Sequence, residues 1–224
     1  MEKKFPIYER TLMAQLMAMT SGGIDAYSYL THGHVFASMQ TGNLILLGVN
    51  IIDGKFSVIL NYLLPILTYC IAAAITKWFQ LHFPKEARVD RQSLILSFEL
   101  FVFLIVAIIS DIVPLDITIL MISFAISAQF VEFSSLHGMP VNTLMMSGNI
   151  KKVGMLTVDG VINKKPKSIR RAKRSLLLIL AFFIGIIVSA WAVKILDRQA
   201  ILFEVLILLV ALFVVHFNNK KQVA

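Results

Sequence analysis

The chain has 224 residues, of which 58% are hydrophobic and 15% charged, with a net charge of +8 and a mean hydropathy of +0.79. Soluble domains carry about 45–50% apolar and about 25% charged residues, and here the excess collects in apolar runs of bilayer length. That excludes a soluble enzyme, a disordered chain and a secreted disulfide scaffold. The single cysteine, Cys70, lies inside an apolar run and makes neither a disulfide framework nor a cysteine metal cluster.

Taken in chain order, the first apolar segment, 11–30, is interrupted by Gln15, Gly22-Gly23 and Asp25. Lys3, Lys4 and Arg10 ahead of it resemble the start of a signal peptide, but a mid-chain counterpart argues for a retained span. Segment 35–52 follows, then 57–79 with Pro65 and a late Lys77, and 93–110 with one charge, Glu99. The next apolar segment, 115–133, contains Asp116, Gln129 and Glu132; segment 141–158 comes after it. Two clean runs close the chain: 175–193 without a charge, and 200–217 with Glu204. At a rise of ~1.5 Å per residue, runs of this length cross a core of about 30 Å. Spans as polar as 11–30 and 115–133 are expected to face the protein interior or a water-filled cavity.

The chain repeats itself. Thr41-Gly42-Asn43, Gly48 and Asp53-Gly54 recur as Ser147-Gly148-Asn149, Gly154 and Asp159-Gly160, every position displaced by 106 residues. Each half, 1–112 and 113–224, therefore reads as a polar span, a motif segment and two apolar spans. If the motif segments dip into the membrane and return, each half crosses three times and the repeats are inverted. With the N-terminus cytoplasmic, 18 Lys and Arg then face inside and only Lys55, Lys194 and Arg198 face outside. Eight crossings would move Lys85, Arg88 and Arg91 outside and bury Lys151 and Lys152 in a span. The expected fold is thus an all-α polytopic membrane protein. It has six transmembrane helices and two re-entrant half-helices (35–52 and 141–158) in a 3+3 inverted repeat. The alternative is an ordinary tilted span through each motif.

The same charge split explains the net +8 without nucleic acid, which is excluded as a partner. The basic stretch 164–174 is expected to be a cytoplasmic loop near anionic lipid.

Thr41 and Ser147 are suited to capping a helix N-terminus, Gly42 and Gly148 to close backbone approach, and Asn43 and Asn149 to both donating and accepting. A half-helix starting at each motif would aim free N–H groups at mid-membrane, as broken helices do around transporter sites. Close helix packing by Gly42, Gly48, Gly148 and Gly154 is the plainer alternative. Asp25 reads either as a proton or cation site or as a carboxylate satisfied by the first half-helix's N–H groups. Gln129 and Glu132 occupy the matching region of the second half. His32 and His34 flank Gly33; they suit a gate or a pH-sensitive loop, or an ordinary interfacial loop, better than a metal site. Glu99 and Glu204, early in the last span of each half, suit interhelical hydrogen bonds or a cavity lining.

Gly23-Ile24-Asp25-Ala26, Val35-Phe36-Ala37-Ser38-Met39 and Thr41-Gly42-Asn43-Leu44 together resemble the YoaK-like family of bacterial membrane proteins. This chain has Ser147 where the second motif of that family usually has Thr, and Asn142-Thr143 where a Thr pair is common. The resemblance implies a six-span protein of the bacterial inner membrane. With no HExxH, no GxSxG and no paired nucleophile and base, the chain is not expected to be an enzyme, and no cofactor or metal is expected.

The leading expectation is a small-solute or ion transporter or channel. Its site would be built from Asp25, Thr41, Gly42, Asn43, Gln129, Glu132, Ser147, Gly148 and Asn149, with the motif segments meeting near mid-membrane. The lipid bilayer and a small solute or ion are the expected partners, and a homo-oligomer is compatible with the chain. A structural or signalling membrane subunit is the alternative.

Overall fold

Apolar runs become helices in a bilayer because each backbone N–H must find its carbonyl within the same segment. The computed structural model describes residues 6–83, 91–136, 139–140 and 146–223, with side chains to residue 216. Among these the α-helices are α1 (Thr11–Thr31), α2 (Gln40–Ile52), α3 (Ile59–His82), α4 (Arg91–Ile109), α5 (Leu115–Glu132), α6 (Met146–Ile162), α7 (Pro166–Leu196) and α8 (Leu202–Val223). Two-residue strands β1 (Ser135–Leu136) and β2 (Met139–Pro140) pair antiparallel between α5 and α6. Lys3, Lys4, the loop residues Lys85 and Arg88, and the expected start of the second re-entrant segment at 141–145 lie outside the described residues.

Among the described residues four stretches are long and apolar enough to cross a membrane: Phe56–His82, Arg91–Ile109, Leu115–Glu132 and Pro166–His216. The last contains α7, the 3-10 turn Asp197–Ile201 and most of α8. Helix α1 has comparable length, 21 residues, and carries its polar residues in its second half. Helix α2 has 13 residues, about 20 Å, and does not reach across a 30 Å core.

Polarity is arranged inside out. Leu67, Ile71, Ile75 and Trp78 on α3, and Phe183, Ile187 and Trp191 on α7, are exposed along helical stripes. Meanwhile Asn43, Glu99, Gln129 and Glu204 are at most 1% exposed. Water selects the opposite arrangement, and hydrocarbon selects this one. Trp78 and Trp191 stand near the ends of their helices, where an amphipathic ring sits at headgroup level.

The packing of the helices repeats with the sequence. Helix α1 packs on α7 and α8, while α5 packs on α3 and α4. Likewise α2 packs on α3 and α6 on α7, and α4 packs on its counterpart α8. Exchanging α1–α4 for α5–α8 leaves this set of partners unchanged. The tightest crossing joins α1 and α7: a Cβ on Gly22 would collide with the Phe182 carbonyl, and one on Gly185 with the Met19 carbonyl. Glycine is required there because the two backbones touch.

Three local expectations are corrected. The basic stretch 164–174 is helical from Pro166 onward rather than a loop, with proline at the first helical position. Asp159 supports that start by accepting from Ser168 Oγ (2.6 Å), Asn163 Nδ2 (2.8 Å) and Lys165 Nζ (2.9 Å). These bonds, Ser168 first, hold its carboxyl well below the usual carboxylate range. Second, Thr41 does not cap α2: Met39 holds the N-cap position without a side-chain bond, and Thr41 is the second helical residue, exposed. Ser147 is likewise the second residue of α6 and exposed. Third, Gly48 and Gly154 face open space within the chain, so neither serves close packing inside it.

Candidate functional site

The first motif is built around an unpaired stretch of backbone. Between α1 and α2 the chain turns through Gly33 and His34, both with φ of 64°, and then runs to Met39 without helix or strand. Such a segment is stable among apolar helices only if its N–H and C=O groups are satisfied by protein. Here they are. Val35 N–H donates to His32 O (3.3 Å), and Ala37 N–H donates to Ser28 Oγ (3.0 Å). Ser38 donates from N–H (2.8 Å) and Oγ (2.6 Å) to the two Asp25 carboxylate oxygens, and Met39 N–H also donates to Asp25 Oδ1 (3.3 Å). Phe36 is held on both sides by one amide: its N–H donates to Asn43 Oδ1 (2.9 Å) and its carbonyl accepts from Asn43 Nδ2 (2.7 Å). Gln40 Nε2 donates to Ala37 O (2.8 Å), and its Oε1 accepts from Asn43 Nδ2 (2.9 Å). Asp25 thus sits at the N-terminal end of α2 and supplies the anionic acceptor that Thr41 does not. Gly42 is buried under Met39 and Phe36, whose side-chain atoms lie 2.7 and 2.9 Å from where a Cβ would stand.

A second polar cluster lies where both halves meet. Glu99 on α4 is fully buried, and Gln129 on α5 lies against its carboxylate; with the amide oriented as the surrounding hydrogen bonds require, its nitrogen donates to both carboxylate oxygens, at 2.8 and 3.1 Å. Glu204 on α8 is 1% exposed and lies against Gly23 of α1, where a Cβ would collide with its carboxylate. Gly23 and Gln129 are themselves equivalent by the 106-residue repeat. Each half therefore offers its first helix to the glutamate of the pair α4–α8, once with an amide and once with empty space.

The remaining expected site residues are distributed elsewhere. Glu132 closes one end of the bundle: it pairs with Arg91 (3.2 Å) and accepts from Gln80 Nε2 (2.9 Å) and Gln92 Nε2. Arg91 in turn donates to the Phe83 and Gln80 carbonyls at the end of α3. His32 lies at the other end, buried, between Thr31 Oγ1 (2.7 Å from Nδ1) and Thr118 Oγ1 (2.8 Å from Nε2). Desolvation, with the Arg198 charge, pushes its pKa down to about 4, so it stays neutral near pH 7 rather than titrating there. His34 is exposed, its ring edge-on to Tyr29 at 4.7 Å. Asn149 is buried, with Nδ2 3.8 Å from Met146 Sδ, and Gly148 is half-buried beside it. Helices α2 and α6 pack on α3 and α7 and are not packing partners of each other. Asp25, Gly42 and Asn43 are therefore brought together, while Gln129, Glu132 and the second motif lie in separate neighbourhoods. Among the described residues no group of three or more His, Cys, Asp or Glu is placed to hold a metal.

The family described as "Protein of unknown function (DUF1275)" matches residues 13–214, which encloses both motifs and both clusters. The chain belongs to this family. It is also 26% identical over 197 residues to the "UPF0700 transmembrane protein YoaK" of Bacillus subtilis (strain 168), covering 83% of this chain and 84% of the relative. No solved structure matches. Helix length, the apolar exterior and the transmembrane relative agree, and the chain is an all-α membrane protein.

Sequence reasoning placed Asp25 beside α2 from spacing and helix electrostatics. Ser28, Ser38 and Gln40 are not among the site residues that the sequence singles out, although the need to satisfy the backbone of residues 35–39 is a signal for such partners. Glu99 and Glu204 were noticed but not joined to Gln129, because their convergence needs three separate spans to cross.

Proposed function

We propose that this chain is a small-solute or ion transporter or channel of the bacterial inner membrane, not an enzyme, with its polar site at the interface between two inverted repeats. The observation that carries the reading is the buried set Glu99, Gln129 and Glu204, drawn from helices of both halves at 0–1% exposure. Ionisable groups inside a bilayer are costly, and they mark ion or substrate pathways in such proteins. Support for the repeat comes from the 106-residue offset and from helix packing that is unchanged when the halves are exchanged. Helix α2, too short to cross, fits a re-entrant segment whose positive end begins at Asp25. In this arrangement the N-terminal end, residues 84–90, the start of α7 and the C-terminal end face the cytoplasm, which puts 18 of 21 basic residues inside.

A second reading, a non-transporting structural or signalling subunit, is favoured by the first motif. Asp25 and Asn43 use their polar atoms within the chain, as residues that hold a fold do. Proteoliposomes separate the two. Gradients of protons, sodium, potassium and phosphate are imposed across vesicles holding wild-type protein or Glu99→Gln. Flux above that of empty vesicles in wild type, lost in Glu99→Gln, is expected. Wild-type vesicles as tight as empty ones to all four would favour the subunit.

A further inference from the structure

We infer that the Glu204 carboxyl, with Ser189 beside it and Glu99 across from it, is a proton-binding site buried between helices of both halves. The inference rests on the transport reading above and names the ion that this interface takes up.

Three observations converge on it. Glu99 and Glu204 project from α4 and α8, helices that pack on one another, and both are cut off from water. Two carboxylates in a low-dielectric interior cannot both remain ionised without a partner for each. Their partners are unequal. Glu99 receives the Gln129 amide on both oxygens. Glu204 meets the bare backbone of Gly23, and its Oε2 has no hydrogen-bond partner. Ser189 on α7, 1% exposed, stands against the same carboxyl, with its Oγ close to it but outside good hydrogen-bonding geometry. A proton on Glu204 removes the second buried charge and gives the carboxyl a donor for the serine oxygen. Glu99, held by the amide, is the member left to carry charge. Unequal surroundings of this kind divide a carboxylate pair into an acid and a base.

The chemistry selects a proton over a metal cation. Gln129, oriented with its N–H toward Glu99, presents a donor, Gly23 presents no side chain, and among the described residues no group of three or more His, Cys, Asp or Glu is placed to hold a metal. Among the described residues no ion pair reaches either carboxylate, and Lys194 on α7, the helix that carries Ser189, is exposed. The titratable groups flanking it are Asp25 on α1, bonded to Ser38, and Arg198 in the 197–201 turn, whose guanidinium donates to Ser110 O (2.8 Å). On α4, Arg91 is bound to Glu132, and in the 3-10 turn Ile7–Glu9 that packs on α8 the titratable residues are Tyr8 and Glu9.

Infrared difference spectroscopy of the purified protein in lipid, titrated from acid to alkaline pH, tests this. A protonated-carboxyl band that persists at neutral pH in wild type, is lost in Glu204→Gln and is kept in Glu132→Gln is the expected result. Ser189→Ala should shift that band without removing it. Should Glu204→Gln not fold, carbodiimide labelling of the wild-type protein replaces it, with Glu204 modified at neutral pH and labelling lost at alkaline pH. Absence of the band at neutral pH in wild type would overturn the proton site. So would protection of Glu204 from carbodiimide by sodium or potassium at constant pH, since it would mean a metal cation is the occupant. A band with the expected behaviour in a protein that moves no ion would leave the proton site standing and remove the transport reading.

Discussion

Asn43 does a job that backbone usually does. Its amide offers one acceptor and two donors, and all are used, on Phe36 N–H, Phe36 O and Gln40 Oε1. Asn43→Ala would leave two half-buried backbone groups of Phe36 unpaired, each costing up to about 1–3 kcal/mol. The variant should unfold at clearly lower temperature in detergent; a midpoint equal to that of wild type would show that water replaces the amide. His32 makes a prediction of opposite origin, since its neutral form is what the fold accommodates. Burial lowers its pKa from 6.5 to about 4, so the folded protein binds fewer protons than the unfolded chain between those values. Its contribution is therefore fully present above about pH 6.5 and falls as pH drops toward 4, by roughly 3 kcal/mol in all. His32→Asn should flatten the dependence of thermal stability on pH across that window. An unchanged slope would assign the dependence to another group.

At the scale of elements, the same short motif performs two jobs. In the first half, Asp53-Gly54 ends α2: Gly54 takes φ of 70°, Gly54 N–H bonds Ile51 O and Lys55 N–H bonds Asn50 O. In the second half, Asp159-Gly160 lies inside α6, with Asp159 bound to the start of α7 and Gly160 pressed against Ile169. The α1–α7 crossing depends on a different pair of glycines. Gly185→Leu would drive a side chain into the Met19 carbonyl, and overpacking of this kind costs typically about 1–3 kcal/mol, occasionally more. Gly48→Leu, at a position with nothing within 4 Å, should be tolerated. Folded yield and thermal midpoint of the two variants check this. Equal behaviour would mean that α1 and α7 can separate at little cost.

For the whole molecule, the decisive property is orientation. Lys167 lies in the first turn of α7 and Lys55 in the turn after α2, both exposed. In intact cells an impermeant maleimide should label Lys55→Cys, and label Lys167→Cys only after lysis. Labelling of Lys167→Cys from outside would overturn the inverted arrangement and restore parallel repeats.

Helix positions, the short first motif helix, the 106-residue repeat and the place of Asp25 were legible in the residues. Each depends on neighbours along the chain: apolar run length, helix rise, or a carboxylate 13 residues from the backbone that it caps. The 164–174 stretch misled because charge density resembles a loop, while Pro166 and Asp159 start a helix there. Thr41 misled because a good capping residue gives way when a buried carboxylate from another helix reaches the same place. Only the tertiary structure brought Gln129 to Glu99, Gly23 to Glu204 and Arg91 to Glu132. Those pairings join separate helices, and they are set by how the spans cross, through contacts such as Gly22 and Gly185, rather than by any pattern within one span.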